Sequence, residues 1–132
     1  MNKQQDIRNT TDTPPIPLSA AIRRGCLISK QTTLAYVRQV PGDLLSCVLG
    51  AAWLAMKAKV GPDGKLQSVP ETWCDEDAIQ DDLSEAWPIL DAPDLNEGGW
   101  RFENLSSYLI YLNDREGFTR EEIASQLERK GL

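Results

Sequence analysis

The chain has 132 residues, enough for one domain with a real core, and its 41% hydrophobic and 26% charged residues are typical of a folded globular protein. Its 14 basic and 20 acidic residues give a net charge of −6, which argues against a general nucleic-acid-binding protein, because such proteins usually present a basic face. The sequence contains no histidine, which excludes Ser-His and Cys-His catalysis and histidine metal sites, and no apolar run reaches the ~18 residues of a membrane span.

Three cysteines, Cys26, Cys47 and Cys74, are widely spaced along the chain. Because no C-x-x-C pair occurs, we expect neither a zinc knuckle nor a redox pair, and we expect no metal and no cofactor. The first 13 residues are polar and lack the apolar stretch of a signal peptide, which predicts a cytoplasmic protein with reduced thiols.

The N-terminal third predicts a flexible segment and one short helix. Residues 1–13 hold too little apolar surface to offset the cost of ordering, so we expect a flexible tail followed by a single domain over 14–132. The segment 17–25 predicts a helix, with Gly25 at the position just past its end. For residues 26–40 two interpretations stay open, an extended segment and a helix in its second half.

Residues 44–57 form the strongest core candidate. All of them except Ser46 and the last residue are apolar, which predicts a helix buried on most sides, with Asp43 as its N-cap. Small residues on this helix, such as Gly50 and Ala51, would let another helix approach closely.

A turn and a second helix follow. The Pro-Asp-Gly sequence at 62–64 is a turn signal, and the segments 57–60 and 65–69 either pair as a small hairpin or form a loop. From Thr72 we expect a helix that Pro88 ends. Its large apolar residues recur on one side, and acids cover the rest.

The C-terminal region predicts an αα-hairpin. After an irregular stretch over 88–104, the apolar spacing predicts a helix to Asn113. Thr119 and Glu122 then form a T-x-x-E capping box, and Phe118 precedes the cap at the spacing of a hydrophobic staple. We therefore expect a mainly α, small single-domain helical protein with a C-terminal αα-hairpin and at most one short β-hairpin.

The charge distribution is the most unusual feature of the sequence. No lysine or arginine occurs from Leu66 to Trp100, a stretch that holds ten acids, whereas the rest of the chain holds all 14 basic residues and ten acids, a net charge of +4. Such asymmetry can steer a basic partner, and the alternative is a solvated face that only keeps the protein soluble. The residues predicted to contact a partner are Asp75, Asp77, Asp81, Asp82, Glu85, Asp91, Asp94, Glu97 and Trp100.

The same acids give only weak signals for other chemistry. The acids of 75–81 are spaced like the start of an EF-hand loop, but Gln80 occupies the position that requires glycine. Carboxylates of the 91–103 loop, with Trp100 as a wall, form the alternative site that a small enzyme or small-ligand binder would use. No glycine-rich phosphate-binding motif occurs.

Three segments, Leu18–Gly25, Cys47–Ala55 and Tyr111–Glu128, together resemble an uncharacterised family of small bacterial and phage proteins. The family carries AI-x-x-G, C-x-LGAA and LND…[ST]REEIA segments in this order, and it implies no established activity. Its members often have a C-P-x-C pair in the third quarter and histidines beside L-N-D. This chain has DAPDLNEGGW in that quarter and Tyr111 before L-N-D, so a metal site implied by those residues is absent from the sequence.

Together these observations favour a non-enzymatic intracellular interaction factor. The preferred interpretation is a phage or mobile-element accessory protein that binds and modulates a host protein through an acidic surface. The partner would present a basic surface and would itself bind nucleic acid, whereas this chain would contact neither nucleic acid nor membrane directly. The alternatives are the carboxylate-based enzyme or ligand binder and a DNA mimic that inhibits a nucleic-acid-binding protein.

Overall fold

The computed structural model describes residues 16–93 and 102–132. The predicted tail over 1–13 lies outside these ranges. The elements in chain order are α1 (Leu18–Cys26), β1 (Lys30–Gln31), β2 (Val37–Val40), β3 (Asp43–Ser46), α2 (Val48–Lys57), β4 (Lys59–Val60), β5 (Leu66–Ser68), α3 (Glu76–Ala86), α4 (Leu105–Asp114) and α5 (Arg120–Arg129). One-turn 3-10 helices at Glu71–Cys74 and Pro88–Asp91 flank α3. No helix in the described ranges is long and apolar enough to cross a membrane.

Helix α2 lies at the centre of the core, as the apolar run predicts, but it begins four residues later than expected. Residues 48–54 are all buried, and Trp53 is the largest side chain with no exposed surface. The N-cap is Cys47, whose Sγ accepts a hydrogen bond from Gly50 N at 3.4 Å, so the prediction that Asp43 caps this helix is wrong. Periodicity cannot separate a buried strand from a buried helix within one apolar run, and here the first residues of the run form β3.

A three-stranded sheet, in the order β1-β3-β2, covers one side of the core. The pair β1–β3 is parallel, with Lys30 opposite Leu45, and the pair β2–β3 is antiparallel, with Val37 opposite Ser46. Residues 27–40 therefore contain extended segments rather than a helix. The small hairpin expected from the segments 57–60 and 65–69 is confirmed as β4–β5, but the expectation of a mainly α fold is only partly correct, because the three-stranded sheet makes the fold mixed α and β.

Helix α1 packs directly against the backbone of α2. A Cβ built on Gly25 would lie 1.9 Å from Ala51 O, so no larger residue fits between the two helices. Gly25 is thus a buried residue inside α1, not the residue past its end, and α1 continues to Cys26 with Leu27 as its C-cap. The expected close approach to a small residue of α2 is confirmed at Ala51.

The ends of α3, α4 and α5 are capped by side chains. The capping box of α5 is confirmed, because Thr119 N donates to Glu122 Oε1 at 2.8 Å and Glu122 N donates to Thr119 Oγ1 at 3.0 Å. Asn104 caps α4, and Asp75 rather than Thr72 caps α3. Helix α5 packs more extensively against α1 than against α4, so its main partner is not the hairpin neighbour that the sequence predicts.

Arg120, the first residue of α5, is the centre of a buried polar cluster. Only 7% of its surface is exposed. Its Nη1 donates to Ser29 Oγ at 2.8 Å and to Ser46 Oγ at 2.9 Å, and its Nη2 donates to the carbonyl of Ser29 at 2.8 Å. Burial lowers the pKa of Arg120, and no carboxylate of a described residue forms an ion pair with it. We call Ser29, Ser46, Asn113 and Arg120 the polar cluster.

Asn113 is the second centre of this cluster and is 1% exposed. Its Oδ1 accepts from Val48 N at 3.1 Å and from Gln31 Nε2 at 3.0 Å. Its Nδ2 donates to the carbonyl of Thr32 at 2.9 Å and to Asp114 Oδ1 at 2.8 Å. One side chain therefore ties the end of α4 to the start of α2 and to the loop after β1.

Candidate functional site

The outer side of α3 carries a row of exposed carboxylates. Asp77, Asp81 and Glu85 follow one another at intervals of four residues, the spacing that places side chains along one side of a helix. Ile79 and Leu83, on the opposite side, are buried in the core. Within residues 16–93 and 102–132, none of the three carboxylates forms a hydrogen bond or an ion pair. We call Asp77, Asp81 and Glu85 the acid ridge.

Three other acids that the sequence predicts as partner contacts, Asp75, Asp91 and Asp82, accept hydrogen bonds from groups inside the molecule. Asp75 Oδ1 accepts from Ala78 N at 3.1 Å and caps α3. Asp91 Oδ1 accepts from the hydroxyl of Ser84 at 3.2 Å. These two carboxylates therefore have structural roles, although both residues are exposed.

Asp82 has two partners inside the molecule, one for each carboxylate oxygen. Its Oδ2 accepts a hydrogen bond from Trp53 Nε1 at 2.9 Å, and its Oδ1 lies 4.0 Å from Lys57 Nζ. Only 28% of its side chain is exposed. Asp82 thus joins α3 to α2, whereas its neighbour Asp81 faces outward. The predicted contacts Asp94, Glu97 and Trp100 lie outside the described residues.

A cavity of about 230 Å³ lies beside the acid ridge, between α3, α4 and the loop that joins β1 to β2. Helix α3 contributes Glu76 and Gln80, and the last residue of α4 contributes Asp114. Tyr36 of the loop and Cys47, the N-cap of α2, complete its polar lining. These residues come from four separate parts of the chain.

Sequence reasoning missed this cavity. In the sequence, Cys47 lies within the apolar run 44–57 and Asp114 lies just past the predicted end of a helix at Asn113, and neither position indicates a cavity. The L-N-D segment is the signal that could have pointed to it, because Asn113 fixes the end of α4 through four hydrogen bonds and thereby positions Asp114.

The titratable groups on the cavity floor are held in their neutral forms. Burial raises the pKa of Cys47 to about 11, so the thiol stays protonated at neutral pH and is not an activated nucleophile. Burial also raises the pKa of Tyr36, an effect that a hydrogen bond from Gln80 partly offsets. The cavity therefore combines a neutral floor with the carboxylates of Glu76 and Asp114.

Leu34 lines the opening of the cavity in an unfavourable backbone conformation. Its φ is 65°, in the left-handed region, and it is the only non-glycine residue with positive φ among those described. Its side chain is 80% exposed. A leucine in the left-handed conformation is roughly 1–2 kcal/mol less stable than one in the right-handed conformation. Leu34 is therefore unfavourable in two respects, its backbone conformation and the exposure of a large apolar side chain.

The donor groups do not assemble a metal site in the described parts of the chain. No group of three or more histidine, cysteine, aspartate or glutamate side chains there is arranged to hold an ion. Comparisons with known proteins find no matching family model, no similar curated protein and no similar solved structure.

Proposed function

We propose that this protein is a non-enzymatic interaction factor that binds the basic surface of another protein through the acid ridge. One observation carries the proposal: three carboxylates, Asp77, Asp81 and Glu85, lie exposed on one side of α3 and form no ion pair with a described residue. Exposed like charges destabilise a fold slightly, and a basic partner would relieve that repulsion.

The chemistry of the cavity supports binding over catalysis. An enzyme of this kind would need an activated nucleophile or a base with a suitable pKa. The Cys47 thiol has its pKa raised to about 11, which is the opposite of activation. Most of the 91–103 loop, on which the carboxylate alternative depends, lies outside the described residues, and the Asp91 carboxylate accepts a hydrogen bond from Ser84.

We infer, first, that the partner is a host protein whose basic surface also binds nucleic acid. We infer, second, that this chain acts as a phage or mobile-element accessory factor. The resemblance of three segments to small bacterial and phage proteins supports the second part. A DNA-mimic form of the proposal adds one expectation: duplex DNA and this protein compete for the partner.

The test compares association rates of a captured partner with wild-type protein and with the variant Asp77→Asn/Asp81→Asn/Glu85→Gln. We expect the variant to associate about tenfold more slowly at low salt, with a smaller difference at high salt, because exposed charges are screened beyond about 8 Å at physiological ionic strength. Asp82 is left unchanged, since its carboxylate holds the Trp53 indole.

A matched control removes the same charge elsewhere. The variant Asp63→Asn/Glu103→Gln/Glu116→Gln changes three exposed acids outside α3. It should associate at nearly the wild-type rate. Equal rates for the ridge and control variants would reject the acid ridge as the contact and leave it as a solvated face.

A further inference from the structure

We infer that the cavity beside the acid ridge is a socket for one lysine or arginine side chain of the partner. The inference rests on the proposed function, which it makes specific: the ridge attracts a basic surface, and the socket holds one residue of it. Glu76 and Gln80 of the socket lie on α3, the helix that carries the ridge.

The size of the cavity selects the class of ligand. Small-molecule sites usually enclose about 300–1,000 Å³. At about 230 Å³, this cavity lies below that range, and its volume is sufficient for one long side chain. Leu34 and Ile110 provide apolar walls for the methylene groups of lysine or arginine, which pack on apolar surface while the charged end reaches polar groups.

The charges of the cavity favour a cation. The carboxylates of Glu76 and Asp114 form no ion pair with a described residue. Asp114 ends α4, where the helix dipole disfavours negative charge, and the Asn113 amide gives its carboxylate one hydrogen bond at 2.8 Å. Ammonium and guanidinium groups carry only donors, and these two carboxylates supply the matching acceptors.

The floor of the cavity adds no charge. Cys47 is 3% exposed and lines the cavity. Its Sγ accepts a hydrogen bond from Gly50 N, and a buried thiol otherwise behaves as a small apolar group. The floor can therefore contact the methylene groups of an inserted side chain, and the two carboxylates select its charge.

Leu34 lines the opening of the cavity in an unfavourable, left-handed backbone conformation. Its side chain is 80% exposed, and asparagine and glycine adopt this backbone conformation more easily than leucine. Such local strain is often kept at binding sites. We assign Leu34 to contact with the alkyl part of the inserted side chain.

The socket can be tested without the partner by an NMR titration with N-acetyl-arginine methylamide. N-acetyl-citrulline methylamide serves as the uncharged probe of nearly the same shape. We expect the arginine probe to cause saturable shifts in the amides of residues 34–36, 76–80 and 110–114, with a dissociation constant in the millimolar range. The citrulline probe should bind about tenfold more weakly or not at all.

Variants then assign the effect to the socket. Glu76→Gln/Asp114→Asn should weaken the arginine probe about tenfold, whereas the ridge pair Asp77→Asn/Asp81→Asn, which removes the same charge, should change its binding less than about threefold. Leu34→Asn should weaken binding without lowering the unfolding midpoint. If the double socket variant does not fold, the single variant Glu76→Gln carries the test, because Glu76 is exposed.

Equal binding of the two probes, equal weakening by the socket and ridge pairs, or absence of a saturable shift would overturn the socket. The two proposals fail separately. If the ridge variant slows partner association while the arginine probe does not bind, the interaction function stands and the socket falls. If the probe binds but the ridge and control variants associate equally, the socket stands as a cation site and the ridge function falls.

Discussion

The polar cluster and the acid ridge both consist of charged or polar side chains, but the centres of the cluster are buried and the ridge is exposed. Arg120 and Asn113 are almost fully buried, and each makes several hydrogen bonds to other elements. Asp77, Asp81 and Glu85 are exposed and make none among the described residues.

This difference in burial separates the group that stabilises the fold from the group that can contact another molecule. A buried polar group must find partners inside the molecule, because leaving it unsatisfied costs about 1–3 kcal/mol. An exposed carboxylate is solvated and contributes little to stability. The polar cluster therefore holds the fold together, while the ridge remains available for another molecule. Five variants, ordered by their expected effect on the free energy of unfolding, test this contrast.

Arg120→Ala should have the largest effect, a loss of ~3 kcal/mol, because it leaves a cavity and removes the shared donor of Ser29 and Ser46. Urea unfolding measures the change. Arg120→Met is the control, since it restores apolar volume without a buried charge, and it should lose clearly less stability. An alanine variant as stable as the wild type would show that the cluster does not hold the fold.

Asn113→Leu should cost ~2 kcal/mol, because Val48 N and the carbonyl of Thr32 then lose a buried hydrogen-bond partner. Gln31→Leu removes a more exposed member of the same network and should cost much less. Equal losses in chemical denaturation would argue that burial does not set the value of these hydrogen bonds.

Asp82→Ala should cost ~1.5 kcal/mol, because the indole N–H of Trp53 loses its acceptor. Asp81→Ala, one residue earlier on the same helix, should change stability by less than ~0.5 kcal/mol. Thermal unfolding of the two variants in parallel gives the comparison. If both lose the same stability, the division between inward and outward acids on α3 is incorrect.

Thr119→Ala should cost ~1 kcal/mol, because Glu122 N loses its capping acceptor. Thr119→Ser keeps the hydroxyl and should lie within a few tenths of a kcal/mol of the wild type, about the uncertainty of such a measurement. Since Thr119 is exposed and Arg120 is buried, the adjacent pair compares a surface cap with an interior contact. An alanine variant with an unchanged unfolding midpoint would contradict the value assigned to the cap.

The ridge variant Asp77→Asn/Asp81→Asn/Glu85→Gln should have the smallest effect, within ~0.5 kcal/mol of the wild type and toward greater stability, because it relieves repulsion between like charges. Unfolding at low and high salt checks the cause, since added salt should reduce the difference. A loss of more than ~1 kcal/mol would mean that the ridge carboxylates have structural partners.

The sequence determined features that depend on neighbours along the chain. The capping box of α5 needs only a few residues at fixed spacing, and it is present. The inward side of α3 and the buried centre of α2 follow from the placement of apolar residues. The run of acids without a basic residue is likewise a property of the sequence alone.

Which residues of an apolar run join a sheet, and which polar side chains find partners, depends on contacts between distant parts of the chain. Leu44 and Leu45 are as apolar as α2, and they form a strand because β3 is paired with β1 on one side and with β2 on the other. Arg120 sits in a helix start that looks exposed in sequence, yet α5 turns it inward onto Ser29 and Ser46. Asp81 and Asp82 are chemically identical neighbours, but only Asp82 faces Trp53 and Lys57 of α2. Helical spacing is fixed locally, but hydrogen-bond partners distant in sequence exist only after the chain has packed.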